Sequence, residues 1–164
     1  MKQATSFVMR LIRALAIVAL IVALHARVWS EESMHVLVGN RPLLFPLAAA
    51  LVLSVALHEL LHLAGYVWLG GAPRDAVHVE WRGAVIVARC DVPLPARSYR
   101  AAVALPGLVL GVVPTVLGLL SGMAWLTVYG AVMLGASAGD VAVLWALRKY
   151  RADEEVVDRS GGRK

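Results

Sequence analysis

Apolar residues in this chain come in blocks long enough to cross a bilayer, separated by shorter polar stretches. A spanning helix needs about 20 mostly apolar residues. Four such segments can be drawn, at about 7–29, 43–69, 101–120 and 123–147. The first has its uninterrupted core at Ala14–Leu24, which is short enough to resemble the apolar region of a signal peptide. Leu24 and His25 fall where a cleavage site would want small residues, so the reading is a retained helix. The second opens after Arg41-Pro42 and is stopped by Gly70-Gly71 and Pro73. Pro106 and Pro114 should bend the third, while Gly107 and Gly111 form a small-x-x-x-small pair suited to close helix packing.

Residues 70–100 follow a different period. Val77, Val79 and Trp81 alternate with His78, Glu80 and Arg82, and after Gly83 a β-prone run continues over Ala84–Ala88. That pattern predicts a short β-hairpin beside the membrane. After Leu147 the chain is polar and mixed in charge, which predicts a mobile tail over 148–164. The expected architecture is an all-α membrane protein of about four transmembrane helices. A cytoplasmic-side hairpin lies between helices two and three, and residues 1–164 form a single membrane-embedded domain.

Composition agrees with the pattern. Of the 164 residues 60% are hydrophobic and 16% charged, and the mean hydropathy is +0.73. Soluble domains are nearer half apolar and a quarter charged. The net charge of +5 would suit nucleic acid only if the basic residues formed a patch, and they sit at the ends of apolar segments instead. No nucleic-acid partner is therefore expected; the partner the pattern implies is the lipid bilayer. The single cysteine, Cys90, excludes an intramolecular disulfide framework.

The same charges give an orientation. With the N-terminus cytoplasmic, residues 1–13 carry three Lys or Arg, the 70–100 loop five and the segment after 147 six. The opposite side has Arg27 and Arg41. The positive-inside rule then places both termini in the cytoplasm.

Within the second segment the strongly polar ionisable groups are His58, Glu59 and His62, in the run His58-Glu59-Leu60-Leu61-His62. Such groups at bilayer depth are costly and tend to mark function. On a helix, positions i and i+4 share a face, so His58 and His62 can present two imidazoles to one zinc ion. Glu59 is placed to take a proton from the attacking water. A catalytic zinc needs a third protein ligand. Segments two and four run the same way through the membrane, and His62 and Asp140 each lie about 10 Å from the cytoplasmic end at 1.5 Å rise per residue. Asp140, the one charged residue between Ala101 and Leu147, is the expected third ligand. His78, Glu80, Cys90 and Asp91 are weaker candidates because a loop predicts solvation, and His25 and His35 lie toward the opposite side. Ser54 and Ser137 are conceivable partners for orienting the site.

With these residues in place the chain resembles a family of small bacterial membrane proteins described as "putative zincin peptidase", related in plan to the site-2 proteases. The resemblance covers about 55–158. It rests on Leu57-His58-Glu59-Leu60-Leu61-His62, Cys90-Asp91-Val92-Pro93-Leu94, the stretch from Leu105-Pro106-Gly107 to Val113-Pro114, and Ala138-Gly139-Asp140. It implies that His58, His62 and Asp140 are metal ligands and Glu59 the catalytic glutamate. The family tends to have two glycines before the late aspartate and Val-x-Asp-His-Pro in the tail; this chain has Ala138-Gly139 and Val156-Val157-Asp158-Arg159-Ser160.

The expected function is a zinc-dependent intramembrane endopeptidase with one Zn2+ per chain. It would cut a membrane protein or peptide near the cytoplasmic face of a prokaryotic plasma membrane. The hairpin could hold the substrate by strand addition. The alternatives are a metal transporter or sensor and a zinc-stabilised scaffold without protease activity. A transport path usually needs successive weak sites, whereas the polar groups here gather at one depth.

Overall fold

A computed structural model describes residues 2–82 and 85–157. It is mostly helical. In chain order it has α1 (Lys2–Trp29), α2 (Glu31–Gly39), α3 (Arg41–Trp68), β1 (Val77–Arg82), β2 (Val85–Cys90), β3 (Leu94–Pro95) and α4 (Ala96–Pro106). A π-helix (Gly107–Val112), α5 (Val113–Ser121), α6 (Ala124–Ala136), α7 (Ala138–Leu147) and β4 (Glu155–Val156) follow. Among the described residues three helical stretches are long and apolar enough to cross a membrane: Leu11–Trp29, Arg41–Trp68 and Ala96–Ser121. The α6–α7 pair, broken at Ser137, makes a fourth if it is counted as one span. The structure therefore bears out a mostly helical chain with three to four candidate spans and a small antiparallel hairpin.

Two elements depart from the sequence reading. Residues 31–39 form α2 where a connection was expected; Glu31 and Glu32 in its first turn suit the positive end of a helix dipole. The segment expected as a mobile tail is paired over its first part. β4 runs antiparallel to β3, with Leu94 opposite Val156, and residues 158–164 lie outside the described chain.

By internal contacts the chain divides into two compact units, Met1–Ser54 with Gly107–Gly139, and Val55–Pro106 with Asp140–Lys164. In the first, α5 packs against α6 through small residues. Gly118 faces Thr127 and Gly130 faces Thr115, each too close to admit a Cβ. His25, fully buried on α1, is 2.8 Å from the Thr127 hydroxyl, and the Trp29 indole donates to the Leu119 carbonyl.

The second unit holds His58, Glu59, His62 and Asp140. Its core gathers Tyr66, Ala72, Ala88, Cys90, Leu94, Tyr99, Ala102, Val103 and Leu147. Helix α3 ends where Gly71 adopts a left-handed conformation (φ 70°), letting the Ala72 N–H reach back to the Tyr66 carbonyl. The hairpin follows, with His78 opposite Arg89 and Val79 opposite Ala88. The first turn of α4 is completed by the chain after α7. The N–H groups of Ala96 and Arg97 donate to the carbonyls of Glu154 and Ala152 at 2.8 and 3.0 Å. Those are donors that a helix start leaves without a partner of its own. Arg100, on α4, donates from one terminal nitrogen to the carbonyls of Leu147 and Tyr150, a cation placed at the negative end of α7.

Candidate metal centre

One turn of α3 brings the imidazoles of His58 and His62 onto the same face, their ring centres 4.9 Å apart and nearly edge-on. Asp140, in the first turn of α7, meets them. One carboxylate oxygen, Oδ2, lies 3.0 Å from His58 Nε2, and Oδ1 lies 3.4 Å from His62 Nε2. One ligand atom from each of the three residues lies within 4.8 Å of the others. His62 is buried, and His58 and Asp140 are partly so.

Asp140 Oδ2 is buried, and the imidazole nitrogen of His58 at 3.0 Å is the polar group that faces it. Buried polar atoms are ordinarily satisfied, and a buried carboxylate facing two imidazole nitrogens is a donor set that a cation would satisfy. Tetrahedral zinc with bonds of 2.0–2.2 Å sets its ligand atoms about 3.3 Å apart. The two Asp140 oxygens approach His58 and His62 at 3.0 and 3.4 Å, one oxygen to each imidazole, which is near that spacing. Two histidines and one carboxylate also match a catalytic donor set, which leaves a position open for water.

His62 is held from behind. His62 Nδ1 lies 3.2 Å from the carbonyl of Ala102 on α4. A carbonyl can only accept, so Nδ1 carries the proton and Nε2 keeps its lone pair toward Asp140. This contact requires α3 and α4 to be close. At Gly65, three residues on from His62, a Cβ would come within 2.7 Å of Ala102 Cα, so glycine permits the approach. Tyr66 stacks on His62 and meets Tyr99 in turn, an aromatic column below the metal-binding face.

Glu59 is not among the converging groups. Its Oε2 accepts a 2.7 Å hydrogen bond from the backbone N–H of Ala88, which β2 directs away from β1. The carboxylate is thus anchored at the open edge of the hairpin, beside the histidines on α3.

The other candidates lie elsewhere. His78 and Asp91 are 3.4 Å apart on the exposed hairpin surface, Glu80 pairs with Arg89 at 2.8 Å, and the Cys90 thiol is buried near the Val92 carbonyl. His25 is buried against Thr127, and His35 is exposed on α2. Ser54 pairs with the Tyr129 hydroxyl, and Ser137 donates to the Met133 carbonyl of its own helix. The backbone of Ala102 and of Ala88 supplies the supporting contacts, and residue types alone cannot announce a backbone group.

This geometry agrees with the sequence comparisons. A family model described as "Putative zincin peptidase" matches residues 51–154. The chain belongs to that family. The matched region includes all four of His58, Glu59, His62 and Asp140. No curated protein and no solved structure matches the chain. A zincin family implies zinc, and among the described residues the His58–His62–Asp140 cluster is a possible metal site.

Proposed function

We propose that this zincin-family protein is a zinc-dependent intramembrane endopeptidase, similar in plan to the site-2 proteases. Its substrate is a membrane-associated protein or peptide, cut near the cytoplasmic face of a prokaryotic plasma membrane. The observation that carries the reading is the division of labour on α3. His58 and His62 converge with Asp140 on one point, while Glu59 stays out of the ligand set. A purely structural metal site would have no use for that extra carboxylate.

His58, His62 and Asp140 hold the ion, one per chain, and the Ala102 carbonyl keeps His62 in the ligating tautomer. When bound, zinc supplies a Lewis acid that brings the pKa of water at its open position to near neutrality. Glu59 takes the proton of the attacking water and returns it to the leaving amine. The Ala88 N–H holds one carboxylate oxygen and leaves the other available for the proton. A helical substrate must unwind before its peptide bond is accessible. A strand laid along the open edge of β2 would run past Glu59, because that edge contributes the Ala88 amide.

The test is purification in detergent with metal analysis, comparing wild type with Glu59→Gln. The variant is expected to retain about one zinc and to lose cleavage of a co-expressed membrane substrate. Full cleavage by Glu59→Gln would sink the peptidase assignment, and a shortened hairpin with unchanged cleavage would remove strand addition.

A further inference from the structure

The carbonyl that fixes His62 belongs to a helix, and in an uninterrupted helix it would already be engaged. An α-helix bonds the C=O of residue i to the N–H of residue i+4. For Ala102 the partner would be residue 106, which is proline and has no N–H. Both residues lie in α4, and Pro106 is its last residue. The pyrrolidine ring also crowds the carbonyl four residues back and turns it away from the helix axis. Beyond Pro106 the backbone continues as the π-helix Gly107–Val112, so the regular ladder does not resume at once. The Ala102 oxygen so released is the one found 3.2 Å from His62 Nδ1. Ala102 and Pro106 are both buried, so water does not compete freely for that oxygen.

We infer that Pro106 is a positioning residue for the metal centre: by withholding its N–H it frees the Ala102 carbonyl to hold His62 in the tautomer that ligates metal. Two properties separate this role from that of a simple kink. It acts through one named carbonyl, and it is particular to position 106. Pro114 interrupts the same span, but the carbonyl four residues before it is that of Leu110 and not that of Ala102. The zinc measurement below rests on the proposed metal-binding reading; the tautomer measurement does not.

The experiment uses the full chain in detergent, with histidine 15N NMR on metal-free protein at alkaline pH and zinc affinity by chelator competition. In the wild type, His62 should be the Nδ1–H tautomer. In Pro106→Ala the restored N–H draws the carbonyl back to its own helix. The His62 signals should shift toward a tautomer mixture, and zinc affinity should fall about tenfold, the lower end for loss of an outer partner. Pro114→Ala should leave both unchanged. In a His62→Ala background, Pro106→Ala should cause no further loss of zinc. A wild-type His62 protonated on Nε2 overturns the inference without any variant. So does wild-type tautomer and affinity in Pro106→Ala, or an equal loss in Pro114→Ala. If the wild type binds no zinc, the metal reading fails while the tautomer comparison still decides the role of Pro106.

Discussion

Gly65→Ala should weaken the proposed metal site without touching a proposed ligand. The added Cβ would lie 2.7 Å from Ala102 Cα, 2.9 Å from its Cβ and 3.2 Å from its oxygen. Carbon atoms prefer separations of about 3.5–4.0 Å, so α3 and α4 must part by about 1 Å. The obstructing atoms are backbone and a methyl, neither of which can rotate aside. The His62 Nδ1 contact, 3.2 Å in the native protein, would then open to about 4 Å, beyond hydrogen-bonding range. Overpacking costs about 1–3 kcal/mol of stability. Losing the outer partner of a ligating histidine costs about 10–100-fold in metal affinity, equivalent to about 1.4–2.7 kcal/mol. Chelator competition in detergent measures the second effect, and thermal unfolding of the metal-free protein measures the first. The expected result is a folded protein with zinc affinity reduced by that factor. Native zinc affinity in Gly65→Ala would refute the claim that close approach of α3 and α4 orients His62.

Two further outcomes follow from the same contacts. Asp140→Asn removes the anionic ligand, and zinc affinity by the same competition assay should fall by more than the ~100-fold upper figure for an outer partner; unchanged occupancy would redirect the search to another ligand. Arg100→Ala removes the charged donor from the carbonyls of Leu147 and Tyr150, and should lower stability by about 1.5–3 kcal/mol in thermal unfolding.

Hydropathy alone makes the spans legible, because a bilayer imposes both a length and a composition on what crosses it. The ligand candidates are legible for the complementary reason: His58, His62 and Asp140 are too polar for their surroundings, and the structure brings them together. What holds them in place is harder to read. Ala102 and Ala88 act through backbone atoms, whose partners depend on tertiary contacts. One clue was available in Pro106, since a proline always leaves the carbonyl four residues back without its helical donor. Helix α2 escaped notice because a segment of nine residues carries little periodicity. The pairing of the chain after α7 escaped because polar composition says nothing of backbone carbonyls seeking donors at Ala96 and Arg97.

That pairing has a bearing on biogenesis. The chain emerges from the ribosome N-terminus first. His58, Glu59 and His62 are therefore made well before Asp140, and Ala152 and Glu154 complete the start of α4 later still. A half-made chain has two imidazoles and a carboxylate but neither the third ligand nor the finished helix that orients His62. If the chain is the peptidase proposed above, the order of synthesis acts as a safety catch that keeps the site unarmed until its last parts are made.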